Sequence, residues 1–116
     1  MTNEIVLSYV PCASEEEAAS LAGGLLEKRL IACANIHETR SLYWWDGKLT
    51  DEMEHILLCK TTRARVRAAE DLIRELHSYD LPCILRLQPA QVNPEYAAWV
   101  SGEVTVGVLM STPNRR

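Results

Sequence analysis

Hydrophobic positions along the chain follow two spacings, and each spacing predicts one kind of element. Residues 4–10 (EIVLSYV) are rich in β-branched and aromatic side chains and are closed by Pro11, which predicts a first strand. Ser14 followed by Glu17 is typical of a capping box at the start of a helix. The apolar residues after it recur at i, i+3 and i+4, as in an amphipathic helix: Ala18, Leu21, Ala22, Leu25 and Leu26.

The middle of the chain has the pattern of strands around a tight turn. Residues 30–36 (LIACANI) form a nearly continuous apolar run typical of a central strand, and we expect His37 in a loop after it. Residues 41–45 and 48–60 flank Asp46-Gly47, a pair that favours a type I′ hairpin turn because glycine accepts positive φ. The predicted hairpin is long enough to extend beyond the helices.

The remaining elements are a second helix, a short strand and a small third helix. Thr62 is the expected cap of the second helix, which ends near His77 because Pro82 follows. Residues 83–87 alternate weakly and predict a strand, and Asn93-Pro94 predicts the start of a helix that ends at Gly102. The apolar stripe of the second helix is Val66, Ala69, Leu72, Ile73 and Leu76.

The order of elements predicts an α+β, ferredoxin-like split βαβ sandwich in which two helices cover one face of an antiparallel sheet. Residues 1–116 are expected to form one domain, with a core of about residues 4–103. Residues 104–110 could add an edge strand, and the end of the chain is expected to be disordered. The long hairpin would expose apolar and aromatic surface, which indicates self-association.

Charge and length narrow the function classes. The chain has 116 residues, a formal net charge of -4 and 47% hydrophobic residues, which suit one domain with its own core. An acidic protein is a poor candidate for binding nucleic acid, which requires clustered basic residues. The basic cluster Arg63, Arg65 and Arg67 is expected to be balanced within its helix by Glu70, Asp71 and Glu75. No segment has the length of a membrane span.

The four cysteines, Cys12, Cys33, Cys59 and Cys83, favour a reducing compartment. They are widely separated, contain no CxxC pair and lie mostly inside apolar runs. We therefore expect buried thiols rather than disulfides or a zinc site, and a cytoplasmic location.

Five segments of the sequence resemble the CutA family, whose members are named for divalent-cation tolerance. The segments occur in the family's order between residues 5 and 103: EKRLIACANI (27–36), SLYWWDGKL (41–49), LLCKTT (57–62), ELHSYDLP (75–82) and NPEYAAWV (93–100). The resemblance implies a ferredoxin-like domain that assembles as a homotrimer. It also implies a cytosolic role in tolerance of copper or other heavy metals, with no enzymatic reaction.

The resemblance also implies candidate metal ligands. In the family, copper binding has been attributed to a cysteine of the first strand and to histidines after the second helix. The cysteine position is occupied here by Ser8, and only His77 of the histidines is retained. Cys12, four residues after Ser8, could take the place of the missing thiol. Cys83 stands where the family usually has an acid after Pro82, so that carboxylate is lost, although Asp80 could partly replace its charge.

A second set of residues predicts either a ligand cleft or a subunit interface. Strand alternation places Tyr43, Trp45 and Lys48 on one face of the hairpin, and Leu42 and Trp44 on the other. With the loop after the second helix, the first face would form a cleft for a small anion, a nucleotide or a metal complex. Tyrosine and tryptophan are equally typical of subunit interfaces. The full set is Tyr43, Trp45, Lys48, Lys60, His77, Tyr79 and Asp80.

Two function hypotheses follow, and neither is catalytic. The first is metal tolerance through binding of copper or another divalent ion, or through a regulatory role; the second is sensing of a small molecule or anion in a cleft between subunits. The sequence contains no nucleophile elbow, phosphate loop or paired carboxylates that would indicate an enzyme. His37 and His55 lack a second ligand at metal spacing and are expected to be structural.

Overall fold

A computed structural model of the chain describes residues 4–105. Four strands form one sheet in the order β2-β3-β1-β4, and all adjacent strands are antiparallel. This is the strand order of a split βαβ sandwich, so the predicted fold class is confirmed. The elements are β1 (Ile5–Cys12), α1 (Glu15–Glu27), β2 (Cys33–Trp45), β3 (Lys48–Thr62), α2 (Arg63–Leu76), β4 (Leu85–Leu87) and α3 (Pro94–Glu103).

The core lies between the sheet and the two longer helices. Val10 of β1 pairs with Leu57 of β3, and both side chains are fully buried. Because strand side chains alternate between faces, every second residue of β1 and β3 faces α1 and α2. The helices contribute the apolar side chains predicted from their periodicity, including Ala18, Leu25 and Ile73. Leu76, which was expected on the same stripe, is 53% exposed because α2 ends there.

The predicted capping hydrogen bond is present at the start of α1. The other two helices begin at the predicted residues but lack such a bond. The hydroxyl of Ser14 accepts the N–H of Glu17 at 3.1 Å, which is the expected cap. The carboxylate of Glu17 accepts the N–H of Ala13 at 2.9 Å. Thr62 and Asn93 occupy the predicted N-cap positions without a side-chain capping hydrogen bond.

Two predicted strand boundaries are wrong. β1 continues through Pro11 to Cys12. β4 pairs only with Leu7–Tyr9, so Pro11, which has no N–H to donate, lies where β1 has one neighbouring strand. β2 is one continuous strand that includes His37, because its pairing with β3 is unbroken to the turn.

The last elements also differ in extent from the prediction. β4 is limited to Leu85–Leu87 and does not begin at Cys83. α3 continues past Gly102 to Glu103, and the buried Val104 is its C-cap. The predicted edge strand at residues 104–110 therefore does not begin at 104, and its remainder, with the expected disordered end, lies outside the described residues.

The hairpin turn and its two faces follow the prediction. Asp46 and Gly47 have φ of 53° and 75°, as a type I′ turn requires. Trp45 pairs with Lys48, and Trp44 pairs with Leu49. Cross-strand partners share a face, so Trp45 and Lys48 lie on one face and Trp44 and Leu49 on the other.

The basic cluster of α2 is balanced in part by residues outside the helix. Arg67 pairs with Asp71 at 3.6 Å within α2, as predicted. Arg63 instead pairs with Glu4 at 2.7 Å. Glu70, which was expected to balance the cluster, is paired with Arg86 of β4. No helix within residues 4–105 is both long and apolar enough to cross a bilayer.

Candidate functional site

Three potential metal ligands meet at one end of the sheet, where β1 ends, α1 begins and α2 ends. We call Cys12, Glu17 and His77 the three-donor cluster. The Sγ of Cys12, a carboxylate oxygen of Glu17 and a ring nitrogen of His77 lie within 4.8 Å of one another. The thiol and the imidazole are buried, and the Glu17 side chain is 15% exposed. The predicted pair Cys12 and His77 is therefore brought together, with Glu17 added.

The hydrogen bonds of His77 fix which ring nitrogen faces the cluster. Nδ1 accepts the backbone N–H of Tyr79 at 3.1 Å, so the proton is assigned to Nε2, which donates to the carbonyl of Pro11 at 2.9 Å. Nδ1 also lies 3.8 Å from Oε2 of Glu17. A histidine that donates one ring N–H to a backbone carbonyl has the arrangement common among metal ligands.

Glu17 connects the start of α1 to the loop after α2. Its two oxygens accept the N–H of Ala13 at 2.9 Å and the N–H of Ser78 at 2.8 Å. Burial raises the pKa of Glu17, but these hydrogen bonds and the nearby His77 lower it further, so that the net pKa lies below the ordinary value. Glu17 is therefore a carboxylate held in place by backbone donors.

Cys12 supplies the soft donor of the cluster. Its Sγ–H donates to the carbonyl of Val10 at 3.5 Å. Burial, with the nearby charges of Glu17 and Glu54, raises the pKa of the Cys12 thiol to about 12. A metal ion binding here must displace the thiol proton, and it must also compete with the N–H of Tyr79 for His77 Nδ1. Thiolate, carboxylate and imidazole together suit zinc or copper, so the donor types fit a divalent metal.

A second site lies between the β2–β3 hairpin and the loop after α2. This hairpin cleft has a volume of about 790 Å³. Its lining includes aromatic rings, carboxylates and apolar side chains. The rings are Tyr43, Trp45 and Tyr79, the carboxylates are Glu52, Glu54 and Asp80, and the apolar side chains include Leu42, Met53 and Leu81.

The two tyrosines of the cleft are hydrogen-bonded to glutamates of β3. Tyr43 donates its hydroxyl to Glu52, and Tyr79 donates its hydroxyl to Glu54 at 2.8 Å. The bond to Glu52, with desolvation and the charges of Glu52 and Glu54, raises the pKa of Tyr43 to about 12. Desolvation and the bond to Glu54 raise the pKa of Tyr79 well above its ordinary value. Both phenols therefore remain protonated donors at neutral pH.

Four of the seven residues predicted for a cleft line this one: Tyr43, Trp45, Tyr79 and Asp80. The other three do not. Lys60 lies with its Nζ 5.6 Å from the centroid of the Tyr96 ring, and His77 is part of the three-donor cluster. Lys48 lies at the turn, outside the residues that line the cavity. The expected cationic lining is therefore absent among the lining residues, where carboxylates are found instead.

The remaining candidates from the sequence have different environments. Ser8 is fully buried, and its hydroxyl has no hydrogen-bond partner among residues 4–105. His55 lies with its Nε2 3.9 Å from Oε2 of Glu38. Cys12 and Cys59 are buried as predicted, whereas Cys33 is half-buried and Cys83 is exposed at the edge of the cleft.

Sequence reasoning missed three carboxylates of the two candidate sites, and two of them could have been found from the strand pattern. Glu52 and Glu54 share the period-2 spacing of Lys48 on β3, and the same alternation places them on the face of Tyr43. Glu17 was recognised only as part of a capping box. Its approach to His77 depends on the packing of α1 against α2, which no local pattern reveals.

Comparison with known proteins agrees with the fold. Residues 6–103 match the sequence model of a family described as "CutA1 divalent ion tolerance protein". The chain is 36% identical over 99 residues to the divalent-cation tolerance protein CutA of Pyrococcus horikoshii, covering 85% of this chain and 97% of that protein.

Solved structures give the same result. The crystal structure of the divalent ion tolerance protein CutA1 from Ehrlichia chaffeensis superposes with a TM-score of 0.86 at 32% identity, covering 91% of this chain and all of that one. The structure of the periplasmic divalent cation tolerance protein CutA from Archaeoglobus fulgidus gives 0.84 at 33% identity, with 87% and 99% covered. The chain therefore belongs to the CutA1 divalent ion tolerance family.

Proposed function

We propose that this protein contributes to divalent-cation tolerance by binding the ion at the three-donor cluster. The observation that carries the proposal is the convergence of Cys12, Glu17 and His77 within 4.8 Å from three separate elements. Three donors of mixed type leave room for a fourth ligand from solvent or from a second chain. Such a site suits zinc, cadmium or copper better than calcium or magnesium, which prefer oxygen ligands alone.

The rest of the proposal follows from the energetic cost of occupying the site. The ion must displace the proton of Cys12, and Tyr79 must release its hydrogen bond to His77 Nδ1. Both costs reduce affinity, and the first makes binding tighten as the pH rises. We therefore expect the protein to exchange its ion readily, as suits a role in tolerance, rather than to hold it permanently.

Isothermal titration calorimetry with Zn²⁺ and Cd²⁺ under reducing conditions tests the direct binding. We expect about one ion per chain, with affinity reduced at least about tenfold in Cys12→Ser and in Glu17→Gln. His37→Gln is the matched control, because His37 is an exposed histidine that pairs with Ile56 and does not share a face with Cys12. Equal binding by the wild type and the Cys12→Ser variant, or binding only at millimolar ion, contradicts the proposal.

We further infer a homotrimeric assembly built around the hairpin, in a cytoplasmic protein. Four apolar side chains of the hairpin are strongly exposed in a single chain: Leu42 at 66%, Trp44 at 70%, Leu49 at 72% and Met53 at 51%. Such a patch is typical of a surface that pairs with another chain. β2 and β4 are the edges of the sheet and offer backbone groups to a neighbouring strand.

A second candidate function is small-molecule binding in the hairpin cleft, which is favoured by the cavity of about 790 Å³ lined by three aromatic rings. A cavity of this size with a few polar groups is the usual form of a ligand site. A thermal-shift screen of small metabolites tests it. A ligand of the cleft should lose its effect in Trp45→Ala and keep it in Trp44→Ala, because Trp45 lines the cleft and its neighbour Trp44 lies on the opposite face.

A further inference from the structure

The hairpin cleft contains a buried carboxylate without a cationic partner. Glu54 is 6% exposed, and its Oε2 accepts the hydroxyl of Tyr79 at 2.8 Å. No Lys, Arg or His nitrogen of residues 4–105 lies within 4.0 Å of its carboxylate. Buried carboxylates in proteins are nearly always paired, because the lost hydration has to be replaced. One neutral phenol replaces only a small part of it.

The charged residues near Glu54 in the cleft are acidic, so they do not neutralise its charge. Glu52 lies two residues away on the same face of β3, and within residues 4–105 its one side-chain hydrogen bond is with the phenol of Tyr43. Asp80 lines the same cavity and has no ion pair in the described part of the chain. The cleft therefore attracts cations and repels anions.

The shape and lining of the cleft favour an organic cation over a bare metal ion. Within residues 4–105, the three-donor cluster is the only group of three ligating residues whose atoms converge within 4.8 Å. The carboxylates of Glu52, Glu54 and Asp80 are thus too far apart to hold one ion together. Aromatic faces at Tyr43 and Trp45 attract an ammonium group, and the apolar side chains of the lining suit an alkyl chain.

An arginine from a second copy is a less suitable occupant. Every arginine within residues 4–105 already contacts a carboxylate or a carbonyl of its own chain. The exposed apolar residues Trp44 and Leu49 lie on the opposite face of the hairpin, which is where a second copy would bury most apolar area. The face of Tyr43 and Glu52 remains for a small ligand.

We propose that the hairpin cleft binds a small organic cation with a primary ammonium group. The ammonium donates to the carboxylates of Glu54 and Glu52, and the alkyl chain lies along Trp45 and Leu81. This inference rests on the second candidate function, small-molecule binding in the cleft, and it specifies the class of ligand. It replaces the anionic ligand expected from Lys48 and Lys60, neither of which lines the cavity.

A matched set of five-carbon probes tests the charge preference: cadaverine with two ammonium groups, glutarate with two carboxylates, and the uncharged 1,5-pentanediol. Binding is followed by calorimetry and by tryptophan fluorescence. We expect cadaverine to bind more tightly than the diol, glutarate not to bind, and salt to weaken the cadaverine complex. Glu54→Gln keeps an acceptor for Tyr79 and should weaken cadaverine binding at least about tenfold. Glu38→Gln, an exposed carboxylate of the same hairpin, should change it by less than about twofold.

Each alternative result has a definite meaning. Binding of glutarate or the diol without cadaverine overturns the ammonium proposal and leaves a small-molecule site in place. Binding of none of the three, together with no hit in the wider screen, overturns both. Unchanged cadaverine affinity in Glu54→Gln also overturns the proposal. If Glu54→Gln instead alters the size of the assembly in sedimentation equilibrium and cadaverine does not bind, the occupant is a second copy and the proposal is wrong.

Discussion

The two halves of β3 have the same alternating pattern but opposite surroundings. From Ile56 to the end of the strand, α1, α2 and the neighbouring strands cover the residues, and Leu57 and Cys59 are fully buried. From Lys48 to Met53 the strand has only β2 beside it, and its residues are exposed or half-buried. The alternation decides which side chains share a face, while the neighbouring elements decide whether that face is covered.

The two regions also differ in the hydrogen bonds that their shielded carboxylates receive. In the covered half, Glu17 receives two backbone N–H groups beside His77. In the hairpin, Glu54 is better shielded from water than Glu17 but receives one phenol. The carboxylate of the covered half is therefore stabilised within one chain, whereas the hairpin has an exposed apolar surface and a buried carboxylate without an ion pair among residues 4–105. The predictions below test that contrast.

The largest effect is expected from removing the apolar face of the hairpin. Trp44→Ser combined with Leu49→Ser should convert the assembly to monomers, because the two side chains are 70% and 72% exposed in a single chain and supply most of the face. Sedimentation equilibrium measures the change. The control is Leu26→Ser with Leu76→Ser, which removes two exposed leucines of the helices and should leave the assembly intact. A trimer that persists in the hairpin variant contradicts the inferred interface.

The next largest effect is expected at His77 in the covered half. His77→Ala leaves the carbonyl of Pro11 and the N–H of Tyr79 without their partner and creates a cavity, so we expect the free energy of unfolding to fall by about 2–4 kcal/mol. His55→Ala, which removes a half-buried ring of the hairpin, should cost less than about 1 kcal/mol. Urea unfolding at one fixed protein concentration measures both. An equal loss in the free energy of unfolding would show that the two histidines contribute equally to stability.

Agreement between sequence and fold was best where the signal is local. The Asp46-Gly47 turn and the cap of Ser14 depend on backbone preferences within a few residues, and both are found as predicted. The strand that includes His37 was broken too early, because polar residues in β2 interrupt the apolar run while pairing with β3 continues. Pairing is a property of two segments, so the sequence of one segment does not reveal it.

The candidate sites were less predictable because they are assembled from distant segments. Cys12 and His77 were suggested by resemblance, and their contact with Glu17 required the packing of three elements. In the cleft, the rings of Tyr43 and Trp45 were found from alternation, whereas Lys60 lies near the far end of β3, beside Tyr96 of α3. Alternation gives the face of a strand, but it does not give how far along the strand a cavity extends.

The pH dependence of stability should reveal the contribution of Glu17. The folded-state pKa of Glu17 lies below its ordinary value of 4.5, so its contribution to stability is present above that value and is lost as the pH falls through the folded-state pKa. Glu17→Gln should therefore be less stable than the wild type by about 1–2 kcal/mol near neutral pH, and the difference should shrink below about pH 4. Glu54→Gln should not destabilise the ligand-free protein, because the amide oxygen still accepts from Tyr79 and an unpaired buried charge is removed.

Urea unfolding at a series of pH values measures these differences. Glu17 receives hydrogen bonds from two backbone N–H groups, whereas Glu54 receives one from a phenol. An equal loss of stability in Glu17→Gln and Glu54→Gln would contradict this contrast.

A smaller effect is expected from glycines in the two regions. Gly47 has φ of 75°, so Gly47→Ala strains the hairpin turn and should cost about 1 kcal/mol. Gly23 lies in α1 with open space around the position of a Cβ, and Gly23→Ala should increase stability by about 0.5–1 kcal/mol. Thermal unfolding of the two variants measures the difference. No loss of stability in Gly47→Ala would show that the turn tolerates a side chain at this position.

The smallest effect, and the most informative about the covered half, is expected at Ser8. Its hydroxyl is fully buried and has no partner among the described residues, so it is the exception in a region where polar groups are otherwise satisfied. Ser8→Ala removes a polar group without a hydrogen-bond partner and loses little packing, so we expect the free energy of unfolding to rise by about 0.5–1 kcal/mol.

Thr61→Ala is the matched control. Thr61 is equally buried on β3, but its hydroxyl donates to the carbonyl of Leu30 at 2.7 Å, so its removal should cost about 1–2 kcal/mol. Urea unfolding should therefore give opposite signs for two hydroxyls on the same face of the sheet. A loss in both variants would mean that Ser8 has a partner in solution, such as a buried water, and that the covered half has no uncompensated hydroxyl at this position.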